Sequence, residues 1–240
     1  SVSAFLLNRS SDLAIKEFFM CTNINLDEKV VKYNSDNIFF VSDFHFNHTK
    51  LCNGYEVHFD RTRKYQTIEE LNADIVEQWN KTVGDNDIVF FLGDIFLGTP
   101  GSKLLENYTH YMSQLHFKRM YFLRGNHDFD MFKKLNKNPQ YEDPRVVRFA
   151  ENYLTATYKG KNYFIQHYAI DKDPMFGIVD NLNHCINEGM NFDYIVHGHT
   201  HSDIKLSEIK DVDNYKIQNN VCWDAWYRPV NINELVLTKE

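Results

Sequence analysis

Met120-Tyr121-Phe122-Leu123-Arg124-Gly125-Asn126-His127-Asp128 reads as a buried β-strand that stops abruptly on glycine, amide, imidazole and carboxylate. Strand ends of that composition hold chemistry more often than packing. The pattern is written four more times. Ile38-Phe39-Phe40-Val41 runs into Ser42-Asp43-Phe44-His45, and Ile88-Val89-Phe90-Phe91-Leu92 runs into Gly93-Asp94. Tyr163-Phe164-Ile165 meets Gln166-His167, and Tyr194-Ile195-Val196 meets His197-Gly198-His199-Thr200-His201. The repeating order of strand, motif, helix, strand makes this an α/β fold.

Outward from these strands the chain fills in. Thr67-Ile68-Glu69-Glu70 forms a capping box, and Ile68, Leu71, Ile75 and Trp79 recur at helical spacing, which predicts a helix lying on a sheet. A second helix is expected over residues 102–117, with Leu104, Leu105, Tyr108, Met112 and Leu115 inward. Residues 129–152 read as irregular and locally basic (Lys133, Lys134, Lys137, Arg145, Arg148), either a solvated face or a loop that reaches a substrate. Residues 168–192 read as a connection. In the tail, Tyr215–Ile217, Asn220–Trp223 and Leu235–Leu237 read as strands of a second sheet. Residues 1–37 precede the first motif and read as an extension packed outside a domain spanning 38–240, with a helix from Ser10 or Ser11 through Cys21.

The 240 residues, 43% hydrophobic and 15% aromatic, suffice for one large domain. Acid exceeds base by 33 to 26, a net charge of −7, which leaves no basic footprint for a long nucleic acid. A small anionic substrate stays open. Cys21, Cys52, Cys185 and Cys222 show no Cys-x-x-Cys spacing, so they read as reduced thiols rather than a zinc site or a disulfide framework. No apolar run approaches the roughly 20 residues of a membrane span. The expectation is a cytoplasmic protein.

Of 11 histidines, His45, His127, His167, His199 and His201 fall at strand ends beside Asp43, Asp94 and Asn126. Carboxylate, imidazole and amide oxygen without thiolate suit Mn, Fe, Zn, Ni or Mg. These ligands are too many for one tetrahedral zinc with an open position, so two ions are expected.

Asp43-x-His45, Gly93-Asp94, Gly125-Asn126-His127-Asp128, the isolated His167 and Gly198-His199-x-His201, in this order, resemble the calcineurin-like metallophosphoesterases. The likeness runs from about Ile38 to Glu234. It is nearest the small stand-alone bacterial and phage type, echoed in His45-Phe46-x-His48, Arg63-Lys64-Tyr65 and Asn220–Val230. His167 is followed by Tyr168 where the family often has a small residue. The resemblance implies two mixed β-sheets packed face to face, flanked by helices in four layers. It implies that Asp43, His45 and His201 hold one ion, that Asn126, His167 and His199 hold the other, and that Asp94 bridges them. His127 then stays off the metals.

Two cations that share a water lower its pKa and present hydroxide in line with phosphorus. His127 is suited to protonate the leaving oxygen, and Asp128 either holds the imidazole's tautomer or is structural. His197 reads as support for a ligand. Arg61, Arg63 and Lys64 are candidates for a distal phosphate or a base edge, or else solvated charges. Tyr168, Trp226 and Tyr227 either stack on a nucleobase or belong to the core. The expected activity is hydrolysis of a small phosphate monoester, a (deoxy)nucleoside 5'-monophosphate foremost. A phosphodiesterase or nuclease is the alternative, and a non-catalytic scaffold the third reading. The expected cofactors are two divalent ions, manganese foremost, with Fe, Zn, Ni, Mg or Co as alternatives.

Overall fold

Three of the five motif strands, apolar on both faces, lie side by side in one largely parallel sheet. In the computed structural model, β2 (Ile38–Val41), β3 (Ile88–Phe91), β4 (Arg119–Leu123) and β5 (Val146–Phe149) pair in parallel, and β11 (Val230–Asn231) adds an antiparallel edge beside β2. The register aligns Phe40, Phe90 and Tyr121 in one row. Their rings stack at 5.1 Å for each adjacent pair. Alternate residues Phe39, Val41, Val89, Phe91, Met120 and Phe122 point the other way, into a second core. The structure describes residues 22–52, 63, 65–151, 153–170, 178–209, 212 and 214–239.

The second sheet is six-stranded and mixed, in the order β1 (Asn23–Asn25), β6 (Tyr153–Tyr158), β7 (Lys161–Gln166), β8 (Tyr194–His197), β10 (Ile217–Asn220), β9 (Leu206–Glu208). Its Leu154, Ala156, Tyr163, Ile165 and Val196 meet Phe40, Phe90, Tyr121 and Leu123 of the first sheet in the layer between the two. Outside the first sheet lie α2 (Ile68–Thr82), α3 (Leu104–Met112) and α4 (Phe129–Lys137), which bury Leu71, Ile75, Trp79, Tyr108, Met112, Phe132 and Leu135. Outside the second, α5 (Ile178–Asn187) packs Leu182 over Phe164 and Ile195. Two mixed sheets with helices on both outer faces give four layers. The α2 capping box is present, with the Thr67 side chain accepting from Glu70 N–H.

Several local expectations are corrected. Residues 129–152 are not irregular, since α4 and β5 occupy much of the segment. Met131, Phe132 and Leu135 make an apolar stripe that outweighs the lysines beside them. The connection over 168–192 contains α5. In the tail, Trp223–Trp226 is a short helix, α6, because Trp223 enters the helix-side core, and Leu235–Leu237 forms no strand. Ahead of Ile38, β1 pairs in parallel with β6, and Leu26 of α1 (Leu26–Tyr33) is fully buried between the sheets. The helix expected through Cys21 lies outside the described residues. Cys52 and Cys222 are free and buried, whereas Cys185 is disulfide-bonded, against the expectation of a reduced thiol.

Candidate metal centre

All five motif segments leave the carboxyl ends of parallel-paired strands, where open α/β sheets collect ligands. The local fold follows from what lies between the polar residues. Phe44, between Asp43 and His45, is fully buried against Phe91, Trp223 and Trp79 at 4.9, 5.2 and 5.7 Å. That anchor turns both neighbours toward the sheet edge. Asp43, His45, Asp94, His199 and His201 all have left-handed backbone, φ between 46° and 69°. Non-glycine residues in that region carry about 1–3 kcal/mol each of strain, which persists only where surroundings enforce it and which clusters at functional sites.

The motif glycines are explained by close approach. A Cβ on Gly125 would lie 2.1 Å from Asp94 Oδ1, and one on Gly198 would lie 2.3 Å from Ser42 Oγ and 2.7 Å from Asp43 Oδ2. Only a bare Cα lets these loops meet.

Two clusters result: Asp43, His45 and His201, and Asp94, His167 and His199. In the first, His45 Nε2 and His201 Nε2 are 3.0 Å apart, with Asp43 Oδ1 at 3.8 and 3.7 Å. In the second, His167 Nε2 is 2.9 Å from Asn126 Oδ1 and 3.6 Å from Asp94 Oδ2. Asp94 Oδ2 also faces His45 Nε2 at 3.7 Å, so it looks into both.

Hydrogen bonds on the far side of each ring set the tautomers. His167 Nδ1 lies 2.6 Å from the Leu92 carbonyl and His201 Nδ1 lies 2.9 Å from Asp224 Oδ2. Carbonyl and carboxylate oxygens only accept, so each Nδ1 carries a proton, and each Nε2, once unprotonated, turns a lone pair inward. Asp43 Oδ1 is buried without a hydrogen-bond partner. Lone pairs converging on one another need a cation. Ligand atoms about 2.1 Å from a shared ion stand roughly 3.0–3.4 Å apart, close to the spacing of these clusters.

The electrostatics say the same. Burial alone would lower His167, but Asp94 and Asp43 hold it up at about 9. Burial would raise the Asp43 carboxyl, yet His45, His201 and His167 keep it well below 3.8. Burial outweighs the same carboxylates at His45, which falls to about 4. The buried carboxylates hold positive charge at His167 and His201, while burial keeps His45 and His199 low: the centre seeks positive charge, which a cation would supply in place of those protons.

His127 stands at the mouth, half-exposed, its Nε2 3.9 Å from Asp94 Oδ2 and its backbone N–H donating to Asp94 Oδ1 at 2.9 Å. Asp128 does not touch it. Asp128 is buried and accepts the backbone N–H of Asp94, Gly125 and Ile95 at 2.7, 2.8 and 3.2 Å. Of the two readings open for Asp128, this geometry supports the structural one: the carboxylate ties the Asp94 and Gly125 loops together. For Arg63 the expectation is corrected. Its side chain is fully buried, pairs with Asp224 at 2.7 and 3.0 Å, and donates to the Phe44 and Asp43 carbonyls at 2.8 and 2.5 Å. It therefore faces neither solvent nor substrate. Arg61 and Lys64 lie outside the described residues.

Tyr168 is buried edge-on to His167 and His199, at 4.8 and 4.7 Å. His197 bonds the Gly198 carbonyl at 2.8 Å rather than a ligand. Trp226 donates to Asn220 O.

The residues that sequence reading missed are Asp224 and Cys222. Asp224 joins Arg63 to His201, and the Cys222 thiol lies 3.0 Å from Asp43 Oδ2. Burial, Asp43 and Asp224 all raise the Cys222 thiol, so it keeps its proton and donates. The signal was there: Val221-Cys222-Trp223-Asp224 follows β10 as Ser42-Asp43 follows β2.

A sequence profile of the Calcineurin-like phosphoesterase family matches residues 37–203, most of the chain. The chain belongs to this family. It is 28% identical over 204 residues to an uncharacterised protein of Methanocaldococcus jannaschii, covering 83% of this chain and 89% of that one. It is 26% identical to the Gene 66 protein of Mycobacterium phage D29, over 83% of this phosphoesterase and 94% of the phage protein. A solved protein of unknown function from Aquifex aeolicus shares the fold at a TM-score of 0.51 and 22% identity, covering 82% of this chain and 96% of that one. No helix among the described residues is long and apolar enough to cross a membrane.

Proposed function

We propose that this phosphoesterase hydrolyses small phosphate monoesters, nucleoside 5'-monophosphates foremost, with Asp43, His45 and His201 holding one divalent ion, Asn126, His167 and His199 a second, and Asp94 bridging. The observation that carries the reading is the convergence of acceptor atoms on Asp94 Oδ2, which lies 3.7 Å from His45 Nε2 and 3.6 Å from His167 Nε2. Bound there, a pair of divalent cations supplies charge to phosphoryl oxygens and lowers the pKa of a shared water.

The protein's own groups do the rest. Asp128 and the Leu92 carbonyl fix the Asp94 turn and the His167 ring, so the site is preorganised before substrate arrives. His127, half-exposed at the rim, gives a proton or a hydrogen bond to the departing alkoxide. No nucleophilic serine or cysteine is required, and the buried Cys222 thiol is engaged with Asp43. A small substrate agrees with the net charge of −7.

The test compares p-nitrophenyl phosphate with bis-p-nitrophenyl phosphate in the Mn-loaded protein, followed by a panel of nucleotides. Faster turnover of the monoester is expected, and preference for the bis-ester would make the enzyme a phosphodiesterase. Replacing His127 with Ala is expected to lower kcat by about 10²–10⁴-fold with ion content unchanged.

A further inference from the structure

Beside the centre is a cleft that the reaction as described does not use. Arg124, immediately before the Gly125–Asp128 loop, and Phe129, immediately after it, both line it. On α4, Phe129, Lys133 and Lys137 recur every four residues and share one face, and Phe132 and Asn136 lie next to them. The cavity is about 340 Å³. That is within the usual range for small-molecule sites. Phe129 is 56% exposed, an unusual position for a large aromatic ring, and the Arg124 guanidinium lies over it at 5.8 Å.

The charge here runs against that of the whole molecule. Among the described residues three cations line the cleft and no acid does, in a chain with a net charge of −7. No ion-pair partner holds Lys133 or Lys137 among the described residues. Asn136 offers its amide N–H groups, since its oxygen already accepts from Arg148 at 3.0 Å. The cleft adjoins the centre: Arg124 is two residues from Asn126 and Phe129 two from His127, so each Cα pair is within about 7 Å.

We propose that this cleft is a second recognition subsite, with a nucleobase lying on Phe129 and a phosphate held by Arg124, Lys133 and Lys137, so that the preferred substrate is a nucleotide carrying a second phosphate besides the one hydrolysed. An exposed aromatic face accepts any base, and lysines held by no ion pair among the described residues supply charge-assisted bonds to phosphate. The inference rests on the monoesterase reading and narrows it. A nucleoside 3',5'-bisphosphate and a 5'-phosphorylated dinucleotide present the same chemistry, and the experiment separates them.

The Mn-loaded full chain is assayed on p-nitrophenyl phosphate, a nucleoside 5'-monophosphate, the 3',5'-bisphosphate and the phosphorylated dinucleotide. Wild type is expected to favour one of the last two over the monophosphate by about tenfold or more in kcat/KM. In Lys133→Glu/Lys137→Glu, the kcat/KM ratio of that substrate to p-nitrophenyl phosphate should drop by about the same factor. Phe129→Ser should lower the ratio for every base-bearing substrate. Calorimetric titration of the metal-stripped chain with the bisphosphate gives an independent readout: weaker binding in the double lysine variant is expected. Equal kcat/KM for the mono- and bisphosphate and the dinucleotide in wild type would overturn the subsite, as would an unchanged ratio in the lysine variant. Failure to hydrolyse p-nitrophenyl phosphate itself would instead overturn the monoesterase reading.

Discussion

The two clusters of the centre are supported by different means. Behind the Asp43 cluster stand side chains delivered from far along the chain: Arg63 and Asp224 behind His201, and Cys222 behind Asp43. Behind the Asp94 cluster stands main chain tied by a single local carboxylate: the Leu92 carbonyl behind His167, and three backbone N–H groups gathered by Asp128. Support from side chains can be loosened one residue at a time. Support from the backbone depends on how closely the turns pack, and Gly93 and Gly125 sit where a Cβ would collide with the facing loop.

The sharpest break is at the residue that belongs to both. Asp94→Ala removes the oxygen facing His45 and His167 together, and kcat/KM is expected to fall by about 10⁴-fold, the several kcal/mol that paired ions supply. Elemental analysis should find fewer than one ion per chain. Two ions retained would mean that the clusters do not share Asp94.

Next comes the side-chain support. Asp224→Ala leaves the Arg63 guanidinium, whose side chain is fully buried, without its carboxylate. Breaking such a pair costs about 3–5 kcal/mol. Denaturant unfolding should therefore shift by that amount, and ion affinity at the Asp43 cluster should drop about 10–100-fold through the misoriented His201. A loss confined to the Asp94 cluster would reverse the comparison.

Metal removal tests both halves at once. Ions bound at 100 times their Kd stabilise by about 2.7 kcal/mol, so EDTA should lower the Tm and added Mn should restore it. An unchanged Tm would mean that the folded protein gains nothing from the ions.

The sequence showed one half of this comparison better than the other. Strand-end ligands were legible because five apolar runs each terminate in them, and apolar runs on both faces implied a sheet buried between layers. The supports were not legible. Leu92 acts through its carbonyl, which no side-chain pattern records. Arg63 looked like a surface charge because its partner is 161 residues away. Asp128 stayed open between two roles because it follows His127, and only the structure shows its oxygens turning back to the Asp94 and Gly125 amides. The α4 helix was hidden by its lysines, since a stripe of Met131, Phe132 and Leu135 is short beside the charges around it.

The finest discrimination concerns Cys222. Asp43 Oδ2 accepts two bonds, from His199 N–H at 2.8 Å and from the Cys222 thiol at 3.0 Å, while Oδ1 faces the histidines. A thiol is a weak donor, so Cys222→Ala should cost about 0.5–1.5 kcal/mol in ion affinity at the Asp43 cluster, a factor of about 2–13. A serine hydroxyl donates as well and is smaller, so Cys222→Ser should recover much of the affinity even if it packs less well. Two-site calorimetric titration with Mn reads each cluster separately. Alanine weakening one site and serine restoring it would show that a side-chain donor orients Asp43. Equal weakening of both sites by alanine and serine alike would make Cys222 only a packing residue, and the division between the two kinds of support would then rest on Asp224 alone.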